Sequence, residues 1–335
     1  VPQRTAPEGA YLLDPELGWV TRPGLEFVMD GVHHAVDAAG RRVNGNPPVR
    51  RPDALVLAVG DSYTFGHRLD DEATWPSALE RKTGVRVVNA GVSGYGLDQM
   101  WILTQRALDD LPKPRTVIVA VISDDIDRMR YGVRAGIAKP HFELDARGDL
   151  VLVPADHAAV AAGGGGLCRS VLGHSWAVHR IARRIAPGHW NRGTFHDFRR
   201  VDLDVGAVGR AIVDAFASEV AGVRGIELVF VLLPASPEDL AMATPSPDGA
   251  ARAVARRMAE VARRDPRVFV VDLQSEIARR IPDEAARRAL YHDPAFDPSG
   301  HFDADGAELV ASILASVVGP DGGVVPAAVV PYAPR

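Results

Sequence analysis

The run Ala54-Leu55-Val56-Leu57-Ala58-Val59, closed by Gly60-Asp61-Ser62, is apolar without a polar interruption. A strand with one wet face would alternate, so an unbroken run of this length fits a strand covered on both faces, as in a parallel sheet. Val85–Asn89, Thr116–Ile122, Ile226–Leu233 and Val268–Leu273 repeat the pattern downstream. Between them lie segments with the apolar spacing of helices: Thr74–Lys82, Gln99–Leu111, Val208–Val223 (closed by Gly225) and Ala250–Arg263. A last helix is predicted over Asp305–Val317, with Leu309, Ile313 and Val317 on one face. Strand and helix alternate, which predicts an α/β fold. Its form is a doubly wound, flavodoxin-like, mostly parallel five-stranded sheet with helices on both faces and ligands at the carboxyl ends of the strands.

The 335 residues divide around that core. Residues 1–52 carry irregularly spaced Pro and Gly and two extended candidates, Leu25–Met29 and Gly31–Val36, and read as an N-terminal arm packed on the core. Residues 53–319 form the α/β domain, and 320–335 an irregular tail. Residues 129–205 break the rhythm and read as an insertion: a hairpin over His141–Val153, a flexible Ala/Gly connection over Ala158–Gly166, and a helix over Ser170–Ile185.

Thirty-eight basic residues face 43 acidic ones, a net charge of −5, so nothing draws the whole chain to nucleic-acid phosphates and no nucleic-acid partner is expected. No apolar run approaches the ~18 residues of a membrane span. Cys168 is the single cysteine, which excludes an intrachain disulfide and a cysteine-built metal site. The histidines His33, His34, His174, His179, His189, His196 and His292 show no metal-ligand spacing, and no metal is expected. Asp124, Asp125 and Asp127 could hold a hard cation, but a solvated helix start explains them better. The chain starts at Val1 without an initiator Met, which leaves export open as an expectation; oligomeric state is not legible.

Chemistry concentrates at strand ends. Gly60-Asp61-Ser62-Tyr63-Thr64-Phe65-Gly66 offers a serine hydroxyl on a tight turn beside backbone amides, or simply a turn capped by Asp61 and Ser62. Asn89-Ala90-Gly91-Val92-Ser93-Gly94-Tyr95-Gly96 follows the second strand with glycines that free N–H groups for an anion. Ser123-Asp124-Asp125-Ile126-Asp127 follows the third, and Asp297-Pro298-Ser299-Gly300-His301 precedes the final helix. Among the aromatic residues Tyr95, beside Gly94, is the best placed to stack on a sugar ring.

These four blocks, in this order, resemble the SGNH (GDSL-type) hydrolase and acyltransferase superfamily. The resemblance implies Ser62 as nucleophile, His301 as general base and the Gly94 amide as an oxyanion donor, with no cofactor. It departs from the family pattern twice. Asp124 stands where the family has an oxyanion-donating Asn, and an ionised carboxylate has no proton to donate, so Asp124 must be neutral, or another group such as Asn89 must donate, or the site has drifted. The orienting acid lies four residues before His301 rather than three, which makes Asp297 the first choice and Asp293 the second. The resemblance extends to bacterial members linked to polysaccharide modification. The expected function is serine-dependent hydrolysis of acetyl or short-chain acyl esters of a carbohydrate or small molecule. O-acyl transfer by the same site, or carbohydrate binding without catalysis, are the alternatives.

Overall fold

The computed structural model of the chain describes residues 9–29, 31–45, 49–163, 175–185, 190–192, 194–241, 249–297 and 300–326. Five parallel strands form the central sheet: β1 (Arg51–Gly60), β2 (Val85–Gly91), β3 (Thr116–Val121), β4 (Glu227–Leu232) and β5 (Val268–Asp272). Their spatial order is β5-β4-β3-β1-β2. The chain steps outward from β1 to β2, then crosses back to β3 on the far side of β1, so the crevice at the carboxyl ends of β1 and β3 is the topological switch point of the sheet.

Period-two alternation divides β1 between two cores. Leu55, Leu57 and Val59 join the cluster that contains residues of α3 (Leu97–Asp110), α5 (Val205–Phe216) and α6 (Gly249–Arg264). Ala54, Val56 and Ala58 join the one that contains residues of α2 (Trp75–Thr83) and α7 (Ala304–Val317). Two short helices, α1 (Ser62–Phe65) and α4 (Ser123–Asp127), sit directly at the ends of β1 and β3. The doubly wound sheet expected from the apolar runs is the observed one, with strand boundaries shifted by a few residues.

Elsewhere the pattern misled. Residues 158–163, read as flexible connection, belong to a helix, His157–Gly163, because alanine is the strongest helix former and the run holds four of them before its glycine. The helix expected over Val208–Val223 starts at Val205, where the Asp204 carboxylate accepts from Ala207 N–H, and its last stretch, Ala217–Val223, widens into a π-helix. The expected hairpin forms from His141–Leu144 and Leu150–Val153. Before it lies one the pattern does not announce, Tyr131–Arg134 with Ile137–Ala138. Cys168, His174, His189, Gly164–Gly166, Ser170–Gly173 and residues 327–335 lie outside the described residues. Among the described residues, no helix is long and apolar enough to cross a membrane.

The N-terminal residues form two hairpins, Tyr11–Asp14 with Gly18–Thr21 and Glu26–Met29 with Val32–Ala35. Behind the second, the fully buried Arg42 guanidinium donates to Asp71 Oδ1 (2.6 Å), Leu69 O (2.7 Å), Phe65 O (3.2 Å) and His33 O (3.1 Å). The loop that follows α1 is thereby tied to the N-terminal residues through one cation whose charge is balanced by Asp71. His34 completes this layer. It is stacked between Phe27 and Phe65, its Nδ1 lies 2.7 Å from Arg42 Nη1, and its buried Nε2 has no partner among the described residues.

Burial, with the Arg42 charge adjacent, lowers the His34 pKa from 6.5 to about 3, so the folded state holds a neutral ring. The unfolded chain takes up a proton below about 6.5, and this contribution to stability is therefore complete above that pH and lost as pH falls toward the folded value. The slope is at most about 1.4 kcal/mol per pH unit. His34→Gln should flatten the fall in urea-unfolding free energy between pH 6.5 and 4.5 by on the order of 1 kcal/mol per unit; parallel curves for the two proteins would show that His34 titrates alike in both states.

Candidate active site

Two glycines bring α1 onto the sheet. A Cβ at Gly60 would lie 2.1 Å from Thr64 Oγ1, and one at Gly91 would lie 2.2 Å from Phe65 N and 2.6 Å from Thr64 C. These residues face each other across β1 and β2, so the backbone of α1 rests where side chains would otherwise stand. Asp61 caps the helix, accepting from Tyr63 N–H at 2.9 Å. Both readings of the Gly-Asp-Ser triplet thus hold at once, since the same turn that is capped by Asp61 presents Ser62. As the first residue of the helix, Ser62 also has an N–H without an intrahelical acceptor.

Ser62 Oγ lies 2.8 Å from His301 Nε2, and His301 Nδ1 lies 2.7 Å from Asp297 Oδ2. All three side chains are buried, at 8%, 8% and 2% exposure respectively. The carboxylate can only accept, so the ring proton belongs on Nδ1, and the Nε2 lone pair is left to accept from the serine hydroxyl. Asp293, the second choice for this role, is exposed and caps the turn below it, accepting from Ala295 N–H at 2.7 Å. Tyr63 braces the histidine loop from the serine side: its hydroxyl lies 2.9 Å from Gly300 O and 2.5 Å from Ala235 O, and its ring packs 4.8 Å from that of His301. From the other side, Arg68 lies over the Phe296 ring at 4.3 Å, next to Asp297.

Gly94 stands on the loop after β2 with φ +84°, and among the described residues its N–H is engaged by no acceptor. The remaining candidates are differently engaged. The Asn89 amide donates one N–H to Thr64 O (2.9 Å) and accepts from Gly91 N–H (3.0 Å), which pins β2 to α1. Tyr95 is fully buried, donates to Trp19 O at 2.5 Å and so cannot stack on a substrate; the burial also pushes its hydroxyl pKa well up. Asp124 is exposed on the first turn of α4.

A buried charge network lies beneath the serine. Arg128 Nη1 contacts Asp61 Oδ2 (2.8 Å), Asp125 Oδ1 (2.5 Å) and Tyr95 O (3.0 Å). Asp61 Oδ2 is also 3.3 Å from Ser62 Oγ. Burial, then repulsion from Asp61, raises the Asp125 pKa, while Arg128 and the Ile122 N–H act against them. The sequence does not single out Arg128; its spacing of three from Asp125 is the only signal it carries. With Asp125 held by Arg128 and Asp127 by Arg130, the acidic run after β3 is not an open cation site.

His67 was not foreseen either. Its ring centroid lies 4.6 Å from that of His301, and burial together with the charge of His301 lowers its pKa to about 3, which keeps it neutral. His67, Asp297 and His301 form a group whose potential ligand atoms all lie within 4.8 Å of one another. The 2.7 Å bond between two of the three suits a proton relay better than a shared ion. An apolar-lined cavity at the ends of β3, β4 and β5, bounded by Ile122, Leu233, Val254 and Met258, touches neither Ser62 nor His301.

No family model and no curated protein matches the sequence. Solved structures do. A putative lipolytic protein of the G-D-S-L family from Desulfitobacterium hafniense is 14% identical over 78% of this chain and 98% of its own, with a TM-score of 0.37. A member of the lipolytic protein G-D-S-L family from Veillonella parvula is 12% identical over 77% and 94%, with a TM-score of 0.42. A carbohydrate esterase family 2 enzyme with a carbohydrate-binding domain, from Corynascus thermopiles, is 14% identical over 84% and 72%, with a TM-score of 0.36. At this level the likenesses carry no weight for the chemistry, which is read from the side chains themselves.

Gly91→Ala tests the close approach of α1. The added methyl has no room against Phe65 N, and the forced backbone shift should cost about 1–3 kcal/mol. It should also disturb the Ser62 to His301 contact. Chemical denaturation, with labelling of Ser62 by a fluorophosphonate as second readout, should show both losses; wild-type stability with wild-type labelling would mean that the contact is relieved elsewhere.

Proposed function

We propose that this protein is a serine-dependent ester hydrolase that acts through an acyl-enzyme on acetyl or other short acyl esters of a carbohydrate or small molecule. The observation that carries the reading is the buried relay Ser62 Oγ to His301 Nε2 to Asp297, at 2.8 and 2.7 Å. The carbohydrate part of the reading rests on the resemblance of the sequence blocks to proteins of polysaccharide modification.

His301 Nε2 takes the Ser62 proton as Oγ attacks the ester carbonyl. The imidazolium that forms is stabilised by Asp297, which keeps its negative charge. The carbonyl oxygen, now an alkoxide, is received by the N–H groups of Ser62 and Gly94, both of which lack a competing acceptor among the described residues. Collapse of the tetrahedral intermediate breaks the bond to the alcohol, which leaves with the proton from Nε2, and Ser62 is left acylated. A water then gives its proton to Nε2, attacks the same carbonyl, and the second collapse returns the proton to Oγ and frees the acid. Each proton taken by His301 is returned, so the cycle is neutral overall.

The sheet orders these roles. Ser62 follows β1 and Gly94 follows β2, so nucleophile and oxyanion donor are set by adjacent strands. His301 comes from the loop before α7, whose start is fixed by Asp303 accepting from Gly306 N–H.

Purified protein should release chromophore from short-chain nitrophenyl esters and become labelled at Ser62 by a fluorophosphonate. Ser62→Ala should lose both while its thermal unfolding stays close to wild type. Asp297→Asn should hold His301 in the wrong tautomer and reduce kcat by about 10⁴-fold, the scale of that defect in a serine triad. Turnover in Ser62→Ala at the wild-type rate would dismiss the reading.

A further inference from the structure

The hairpin Tyr131–Arg134 with Ile137–Ala138 reaches into the site from outside the sheet. Arg134 pairs with Ile137, so only Ala135 and Gly136 make the turn, with φ of +51° and +80°. Both central residues have positive φ, which two-residue hairpins of this kind require. In an alanine that conformation costs about 1–2 kcal/mol. Ala135 and Arg68 are the only non-glycine residues of positive φ among the described residues, and each sits on a loop flanking Ser62 or its partners.

The hairpin is fixed to the oxyanion loop. Gly136 N–H donates to Asp197 O at 3.1 Å, and the fully buried Lys139 is paired with Asp98, in the first turn of α3 directly after Gly94-Tyr95-Gly96. This aims Arg134 at Gly94: a Cβ at that glycine would meet Arg134 Nη1 at 2.3 Å. Among the described residues, the Arg134 side chain makes no hydrogen bond and no ion pair, and the charges of Asp125 and Asp61 reach it only from a distance. Arg128 beside it already has two carboxylates, so Arg134 is a surplus cation pressed against the oxyanion loop.

We propose that Arg134 Nη1 donates the third hydrogen bond to the oxyanion, beside the backbone N–H groups of Ser62 and Gly94. The inference rests on the ester-hydrolase reading above. An alkoxide accepts up to three such bonds; of the other side chains near the pocket, Asn89 is tied to Thr64 O and Gly91 N–H, and Asp124 is exposed. Burial and the Arg128 charge lower the Arg134 pKa to about 10, which leaves it cationic at neutral pH. A cation at this place costs nothing to reorganise as charge develops on the carbonyl oxygen, and a guanidinium held in a partly dry site is stronger there than in water.

The test uses a neutral substrate, nitrophenyl acetate, and a boronic acid inhibitor that mimics the tetrahedral state. Arg134→Met should lower kcat by ~10²–10³-fold with KM within about twofold, and should weaken the boronic acid by a similar factor. Arg134→Lys should restore part of both. A structural role would not make inhibitor affinity follow kcat in this way. Wild-type kcat in Arg134→Met, or a loss seen only with esters whose alcohol carries a negative charge, would overturn the assignment in favour of an anion-binding residue. Absence of turnover and of Ser62 labelling in the wild-type protein would instead remove the ester-hydrolase reading, and Arg134's role with it.

Discussion

The bond between Ser62 Oγ and His301 Nε2 joins residues 239 positions apart, and nothing local holds it in place. It exists because β1 delivers the serine to the switch point of the sheet while α7, packed on the same core as α2, returns the chain to that point from the other end. The rigidity of the arrangement comes from backbone rather than side chains. Gly60 and Gly91 let α1 lie against two strand ends with no intervening atoms, and Asn89 uses both halves of its amide to hold it there. A serine on such a support has little freedom to drift from its base, and in such reactions a displacement of an ångström is costly.

The sheet was legible because its inner strands β1, β3 and β4 are buried on both faces over most of their length and so write continuous apolar runs, while the edge strand β2 is interrupted by the exposed Arg86. Ser62, Gly94, Asp297 and His301 were legible because each follows such a strand or precedes such a helix, where a parallel sheet collects its ligands. Asn89 and Tyr95 are turned inward for a common reason. Position along the chain placed both residues beside the pocket, but orientation put both into the protein, where an amide and a phenol each find backbone partners. Period-two and helical patterns give no such information for residues in a glycine-rich loop.

Arg128, Arg134, Arg42 and His67 were not legible at all. Each takes its meaning from residues distant in sequence: Arg128 from Asp61, Arg134 from Gly94, Arg42 from Asp71 and His67 from His301. An arginine outside a repeated pattern looks like surface charge, and only burial distinguishes it. The Ala135-Gly136 turn is subtler still, because alanine seldom takes a positive φ, and sequence reading assigns it to helix or strand.

The charges below the serine explain why Arg134 and Arg128 are not equivalent. Arg128 lies between two carboxylates; its effect is to keep Asp61 and Asp125 together despite their repulsion and so to preserve the cap on α1. Removing it would leave two buried acids facing each other, a change felt first in folding. The Arg134 side chain makes no ion pair among the described residues, and the charges of Asp125 and Asp61 offset only part of what burial and Arg128 do to it. One guanidinium thus holds the turn that carries Ser62, while the other, in the role proposed for it, would answer charge that appears only during reaction. The strained alanine next to it fits this division, since a cation that makes no ion pair among the described residues is held in place by its backbone.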